Sequence, residues 1–396
     1  MGNRLKKNLP VLRFPEFVGD WQKKNLKEIS VSGFSNGVFN DPSKVGRGYR
    51  LINVKDMYSG ESVDIDTLTR LEMDKKEFLN NQAKYGDIFF TRSSLVKEGI
   101  AHSNVLLSQA EDITYDGHLI KLSPRQNIYL PQFIAAALKN STSRRQLVAR
   151  GKTGTMTTIG QEDIATVKLN IPPIAEQEKI ASFLGAVDTR ITQLRRKHEL
   201  LQAYKRGVMQ KIFSQQIRFK CDREKLFPDW EKKRLESIFS EFKSGYNITS
   251  DELTESGSYP VFGGNGIRGY SEKFTHEGFY FLIGRQSALC GNIHRSYGKA
   301  YISEHAIACK ANDTSDTEWL AQRLDYYNLN KLSESSAQPG LAVNKLLRFK
   351  LLTPCKKEQE KIADFLTAID KKIEAAAKQI ELIKQFKKGL LQKMFV

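Results

Sequence analysis

Glu176-Gln177-Glu178-Lys179-Ile180-Ala181 opens a stretch that closes at Gly207-Val208-Met209-Gln210-Lys211-Ile212-Phe213. The same stretch returns 182 residues later, from Glu358-Gln359-Glu360-Lys361-Ile362-Ala363 to Gly389-Leu390-Leu391-Gln392-Lys393-Met394-Phe395. In the first copy Ile180, Val187, Leu194, Leu201 and Val208 recur every seven residues, with Leu184, Ile191 and Ile212 four beyond members of that series. The second copy repeats the pattern through Ile362, Ile369, Ala376, Ile383 and Leu390, accompanied by Leu366, Ile373, Ile380 and Met394. Such a sustained heptad seam predicts a long helix that packs along one face. Lys205 and Lys387 interrupt the seam at equivalent places. Neither run contains proline, and Pro173 and Pro354 stand just before them as fences. A helix of this length extends roughly 57 Å at about 1.5 Å per residue, too long for an ordinary globular element, and two such rods in one chain most simply pack on each other.

Outward from the rods, a second repeat marks the start of each preceding segment. Phe14-Pro15 with Trp21 and Leu26 is matched by Phe227-Pro228 with Trp230 and Leu235, Trp21 to Trp230 being an offset of 209 residues. The frame therefore repeats while the filling differs, the first globular segment being the longer. Both segments end alike. A small, polar loop from Gly151 to Ile159 leads through Ile164 and Lys168-Leu169-Asn170-Ile171 to the first rod, and Ser335-Ser336-Ala337-Gln338-Pro339-Gly340-Leu341 leads through Leu346 and Lys350-Leu351-Leu352-Thr353 to the second. Strands are expected at Tyr49 to Val54, Asp87 to Thr91, His118 to Leu122, Phe279 to Ile283 and Ala306 to Lys310. Helices are expected from Pro131 to about Val148 and from Glu318 to Leu332. Strict strand and helix alternation is missing, so both segments read as α+β, giving globule, rod, globule, rod over 1–172, 173–215, 216–354 and 355–396.

Composition bounds the chemistry. The chain has 396 residues and a formal charge of +17, from 62 Lys and Arg against 45 Asp and Glu, which favours a polyanionic partner, nucleic acid first. No run of 18 apolar residues occurs and the basic start from Met1 to Pro10 lacks an apolar core, so neither signal peptide nor membrane span is expected. Cys221, Cys290, Cys309 and Cys355 are scattered without metal spacing, as in a reduced, cytoplasmic protein.

Enzyme motifs fail on context. Gly264-Asn265-Gly266-Ile267-Arg268-Gly269 matches the dinucleotide fingerprint in letters, but Tyr259-Pro260-Val261-Phe262 is a poor buried strand and Tyr270-Ser271-Glu272 opens no apolar helix. Gly151-Lys152-Thr153 lacks the glycine a phosphate loop needs five positions earlier, where Gln146 stands. The six histidines show no metal-ligand spacing, although His118 and His305 each lead a strand in similar surroundings. His198 falls in the rod's seam where the other copy has Ile380.

Arg and Lys read guanine edges, and Asn and Gln read adenine, so basic and amide side chains in loops are the candidate readers. In the first segment they are Arg47, Arg50, Asn53, Lys55, Arg92, Ser93, Ser94, Lys97, His118 and Lys152. In the second they are Asn265, Arg268, Arg285, Gln286, Asn292, His294, Arg295 and His305. For any one of them the bland alternative is a solvated surface charge.

The twin Glu-Gln-Glu-Lys-Ile-Ala rods and the paired Phe-Pro, Trp and Leu starts resemble the specificity subunit of type I restriction-modification enzymes, over essentially the full length. Gly48-Tyr49-Arg50-Leu51-Ile52-Asn53-Val54, Gly86 to Ser93 and Tyr259 to Ile267 add to the resemblance. It implies two target recognition domains, each reading one half of a split double-stranded DNA site, and two helical spacers packed as an intramolecular antiparallel coiled coil. It also implies docking of two methyltransferase subunits and two restriction (motor-nuclease) subunits, with S-adenosylmethionine, ATP and Mg in those partners, no cofactor or metal in this chain, and no membrane. Antiparallel packing of equivalent rods predicts that the unlike domains face DNA in opposite senses over an asymmetric target. The rods then set how far apart the two halves are read. A non-catalytic scaffold, or a general nucleic-acid binder that recruits partners through its coiled coil, is the alternative from composition alone.

Overall fold

The computed structural model describes residues 9–221, 225–286, 290–333 and 340–396. Ser335 to Pro339, expected to form a polar loop, lie outside the described residues. The chain folds as two compact units, one made of residues up to Arg195 together with Lys378–Val396, the other of Arg196–Ala377.

The expected rods are helices Ile174–Phe213, of 40 residues, and Lys356–Lys393, of 38. They pack against each other, antiparallel in both units, because each unit contains the first part of one and the last part of the other. In the first unit Ile180 and Leu184 share a core with Leu390, Met394 and Phe395. In the second, Ile362, Leu366 and Ile369 share one with Met209, Ile212 and Phe213. The terminal Phe of each copy is a plug: Phe395 meets Trp21 and Phe133 at 6.4 and 5.3 Å, and Phe213 meets Tyr326 at 5.1 Å.

The two lysines that interrupt the seam are satisfied by the opposing helix. Lys205 Nζ lies 2.6 Å from Asp370, and Lys387 Nζ lies 2.6 Å from Asp188. Asp188 and Asp370 are themselves equivalent in the 182-residue register, so the two ion pairs are reciprocal. A one-turn slip would bury both cations without partners, which makes the pairs a register lock as well as a contact.

The opening motif is also explained. Glu176, fully buried, accepts from Arg13 Nε and a second guanidinium nitrogen at 2.7 Å each and from Trp21 Nε1 at 3.2 Å. Glu358 repeats this with Arg218 at 3.2 and 2.9 Å and Trp230 Nε1 at 3.1 Å. A buried carboxylate is tolerable only when its charge and lone pairs are met, and this fork meets both. The next residue ties the helix start to the globular segment. Gln177 accepts from Leu130 N–H and donates to Pro172 O, while Gln359 accepts from Asp316 N–H and donates to Pro354 O.

Each unit is built on one plan. Its central antiparallel sheet orders Ser30–Asn36, Leu119–Pro124, Ile88–Thr91 and Ser103–Val105 in the first unit. The second orders Phe239–Ser244, Ala306–Ala311, Tyr280–Gly284 and Ile293–Ser296 the same way. A strand pair next to each long helix, Gln22–Asn25 with Lys168–Ile171 and Glu231–Arg234 with Lys350–Thr353, closes the frame. Beside each central sheet a second sheet contains one parallel pairing, Val45–Ile52 with Ile113–Tyr115 and Tyr259–Gly263 with Lys299–Ile302.

Three expectations change in detail. The helix expected from Pro131 to Val148 is two, Pro131–Lys139 and Ser141–Arg150, broken where Asn140 accepts from Ser143 N–H and caps the second. The helix expected to reach Leu332 ends at Tyr327, where Asn328 adopts a left-handed conformation and a short 3-10 turn follows. Tyr259–Gly263, read as a poor buried strand, is a strand whose Val261 and Phe262 are buried; it forms a hairpin with Gly266–Ser271, so the glycine-rich stretch leads into no helix.

Candidate nucleic-acid interface

The two histidines that looked alike in sequence occupy one constellation. In the first unit Arg92, just past strand Ile88–Thr91, donates its N–H to His118 O at 2.9 Å, and its own carbonyl accepts from Ile159 N–H at 3.0 Å. In the second, Arg285 N–H donates to His305 O at 3.0 Å and Arg285 O accepts from Leu341 N–H at 3.0 Å. The end of a central strand, the start of its neighbour and the loop feeding the long helix thus meet at one Arg in each unit. Both rings rest on acids: His118 Nδ1 is 2.8 Å from Asp116, and His305 Nε2 is 3.0 Å from Glu304. A carboxylate only accepts, so His118 Nδ1 carries a proton toward Asp116, and the ring's other edge is exposed.

A close approach builds the floor of each site. Val38 N–H donates to Tyr115 O and Tyr246 N–H to Ile302 O, both at 2.9 Å. The preceding Gly37 and Gly245 lie so near these carbonyls that an added Cβ would stand 1.9 Å from Tyr115 O and 2.2 Å from Ile302 O. Only glycine allows the approach. The sequence reading missed both, although they stand in equivalent context, Asn36-Gly37-Val38 and Ser244-Gly245-Tyr246, each directly after a strand of the central sheet.

The candidate readers do not all gather. Around Arg92 the structure brings Ser93, Ser94, His118 and Lys152 together: Ser93 and Ser94 pair with Thr158 and Thr157, and Lys152 and Thr153 extend that small sheet. Arg92, Lys97 and Lys152 are exposed; Lys152 Nζ is 3.2 Å from Asp163 but remains largely in water. Arg47, Arg50, Asn53 and Lys55 lie on or beside strand Val45–Ile52 instead. There Arg47 pairs with Glu72, Arg50 with Asp112, and Asn53 bonds Asn40, Thr69 and Leu51 O. Asn53 is thus an internal fastener. Lys55 is exposed.

In the second unit Asn265, Arg268, Gln286 and His305 line an open recess of about 510 Å³ together with Gly263 to Ile267. His305 Nδ1 is 3.2 Å from Gln286 Oε1, and Arg285 donates to Ser244 Oγ at 3.0 Å. His294 stands beside the hairpin turn, its ring 3.6 Å from where a side chain on Gly266 would begin. Burial, then the neighbouring Arg295 charge, lowers its pKa and favours the neutral ring. Asn292 is exposed. Arg295 departs from the expectation of a solvent-facing reader: it is half-buried and grips Glu318 through Nε and a second nitrogen at 2.6–3.0 Å, which raises its pKa against the cost of burial. That geometry is a structural brace between strand Ile293–Ser296 and helix Thr317–Tyr327. Among the described residues no group of three or more His, Cys, Asp or Glu is placed to hold a metal ion, and no helix is long and apolar enough to cross a membrane.

Two basic constellations without a metal cluster, on one repeated frame, match what sequence comparison finds. The family model for the type I restriction modification DNA specificity domain matches residues 19–202 and again 228–385. The chain belongs to this family. As a type I specificity subunit it is the DNA-recognition component of its system and not a catalytic one. The type I restriction enzyme EcoprrI specificity subunit of Escherichia coli is 45% identical over 127 residues, 32% of this chain and 31% of that relative. The putative type I restriction enzyme MjaX specificity subunit of Methanocaldococcus jannaschii is 24% identical over 414 residues, 98% of this chain and 95% of that protein. The S subunit from M. genitalium shares the fold, with a TM-score of 0.65 at 17% identity over 98% of this chain and 99% of that one.

Proposed function

We propose that the chain reads a bipartite, asymmetric target in double-stranded DNA, one half with each unit, and carries methyltransferase and restriction subunits to that address. Residues 1–172 and 216–354 are the two target recognition domains, and 173–215 and 355–396 the helical spacers. The observation that supports this best is the doubled constellation of Arg92 with His118 and Arg285 with His305: identical main-chain bonding, different surrounding side chains. Like placement with unlike chemistry is what two readers of unlike half-sites require. Arg92, Lys97 and Lys152 in one unit, and Arg268 and Arg285 in the other, neutralise phosphates or read base edges, and His118 and His305 supply further polar edges.

The outer faces of the long helices support two equivalent docking sites. Leu200 and Tyr204 are 52% and 54% exposed, and Leu382 and Phe386, their equivalents in the 182-residue register, are each 54% exposed. One turn on, Gly207 and Gly389 sit within the last two turns of their helices with nothing within 4 Å of an added Cβ. A helical glycine costs about 1 kcal/mol relative to alanine, and no neighbour in this chain requires either one. A partner backbone lying against the stripe would use both features. Two equal stripes fit two copies of one methyltransferase subunit; two restriction subunits join that complex, and S-adenosylmethionine, ATP and Mg serve the partners.

The test is to replace residues 216–354 by the corresponding domain of another specificity subunit and map methylated adenines in cells by single-molecule sequencing. One half of the modified motif should change and the other persist. Unchanged motifs, or modification scattered over both halves, refute the reading.

A further inference from the structure

The first unit carries a feature that base-edge hydrogen bonding leaves unused. Between strands Ile88–Thr91 and Ser103–Val105 the chain runs out into a tip at Ser94 to Gly99, where Leu95 is 84% and Val96 61% exposed. Single exposed aliphatic residues are ordinary on protein surfaces, but these two are adjacent and held rigidly. Ser94 Oγ donates to Val96 O at 2.7 Å and accepts from Val96 N–H at 3.3 Å, and Gly99 N–H closes the turn on Val96 O at 3.1 Å. The base of the tip is pinned by Arg144, which donates to Glu98 O, Ile100 O and Ala101 O at 2.7–2.9 Å. Ser93 and Ser94 are fixed from the other side by their pairing with Thr158 and Thr157. Met156, the neighbour of Thr157 in that small sheet, is 40% exposed.

The result is a preformed apolar tip of Leu95 and Val96, with exposed Arg92 and Lys97 beside it, exposed Lys152 in the adjoining small sheet and one exposed acid, Glu98, within the tip. Water gains nothing from such a tip, and the hydrogen bonds that hold it prevent its collapse onto the core. The cationic surround selects a polyanion, and the aliphatic centre needs apolar surface inside that polyanion. In duplex DNA the apolar surface between phosphates is the face of a base. Branched aliphatic side chains driven between base steps unstack them and kink the helix, and cations beside the wedge neutralise the phosphates that the bend draws together.

We infer that Ser94 to Gly99 is a wedge: on binding, Leu95 and Val96 enter the base stack of the half-site read by the first unit and deform it. The inference rests on the DNA-reading function proposed above and adds to it readout by deformability, at a step the protein need not touch by hydrogen bonding.

The experiment uses the full chain assembled with its methyltransferase subunits, without S-adenosylmethionine, on duplexes carrying the target identified by methylation mapping. 2-Aminopurine is placed at successive steps of the first unit's half-site, excluding the methylated adenine, and fluorophores at both duplex ends report bending. The wild-type complex should raise 2-aminopurine fluorescence several-fold at one step and shorten the end-to-end distance. The double substitution Leu95→Ala with Val96→Ala should abolish both signals and weaken binding at least tenfold, whereas Leu95→Met should retain them. Wild-type signals from the double variant, or no unstacked step with the wild type, overturn the wedge. So does a loss of affinity reproduced by replacing thymine with uracil, which would mark contact with a thymine methyl instead. A loss of subunit assembly with DNA binding intact would assign the tip to a protein partner and also overturn it. Failure of the wild type to prefer the target over a shuffled duplex is a different result, and counts against the specificity reading itself.

Discussion

Removing Asp370 should cost more than removing the lysine it pairs with, and the difference can be worked from the structure. Asp370 accepts from Lys205 Nζ at 2.6 and 2.8 Å and from Gln322 Nε2 at 2.8 Å. Lys205 is 16% exposed at its side chain, Asp370 29%, and Gln322 is fully buried. Lys205→Met keeps the aliphatic stem in the seam and leaves Asp370 one amide donor and some water. The expected loss is about 1–2 kcal/mol, between the values for exposed and buried pairs. Asp370→Ala instead strands a nearly dry ammonium and a buried amide donor, and should cost about 3 kcal/mol. For a unit of this size, roughly 2–4 °C per kcal/mol, the respective falls in Tm are about 2–8 °C and about 6–12 °C. Calorimetry of the full chain across a double-mutant cycle measures both. The double variant Lys205→Met with Asp370→Ala should be more stable than Asp370→Ala alone, since no charge is left uncompensated. Single variants within about 0.5 kcal/mol of wild type, or strictly additive effects, would show that the lysines are tolerated interruptions and not a register lock.

Three further outcomes follow from other parts of the molecule. Burial works against the Glu61 charge, but Lys139 and Lys387 at 3.0 and 2.6 Å hold its carboxyl down at about 2. A depressed carboxyl stabilises the fold above its ordinary value and loses that contribution as pH falls toward the folded value. Glu61→Gln should therefore lower Tm most above about pH 4.5, the gap to wild type closing toward about pH 2; a gap independent of pH refutes the assignment. Gly37→Ala and Gly245→Ala force a methyl group against a carbonyl oxygen, and each should cost at least about 1–3 kcal/mol and disturb hydrogen exchange at Val38 or Tyr246 respectively. Leu200→Asp with Tyr204→Ala should leave Tm nearly unchanged yet reduce the methyltransferase content of the purified complex, as should Leu382→Asp with Phe386→Ala; full assembly by the combined variant would remove the docking proposal.

The long helices, the repeated frame and most strands were legible because they are periodic, and periodicity is a local property. Asn140 broke an expected helix although the signal was present in Asn140-Ser141-Thr142-Ser143, a capping residue placed before a new first turn. The function of Glu176 was not legible. The repeat showed that Glu176 matters to the frame, but its partner Arg13 is 163 residues away, and no spacing rule joins them. Lys205 and Lys387 looked like flaws because their partners lie on the opposing helix, and only the antiparallel register pairs each with the other copy's equivalent of a single Asp. Among the candidate readers, residue type alone did not separate Arg285, whose side chain donates to Ser244 Oγ, from Arg295, which Glu318 holds. Exposure and partner decide that difference, and both come from the tertiary fold.

The same distinction bears on the proposal that one frame accommodates two addresses. Glu176 and Glu358 fix the frame through side-chain chemistry that tolerates little change, since a buried carboxylate needs its Arg and Trp. At Arg92 and Arg285 the arrangement is reversed: the main chain is held on both sides, N–H to a histidine carbonyl and C=O from Ile159 or Leu341, while the side chain stays outside those bonds. Main-chain bonds are indifferent to side-chain identity for every residue but proline. On the reading proposed above, a substitution there should change what is read without moving the position from which it is read. Arg92→Gln should accordingly keep the stability of the first unit within about 0.5 kcal/mol of wild type while altering preference in one half-site only. A comparable loss of stability at this position would mean that the site and the frame are not separable in the way the hydrogen bonding indicates.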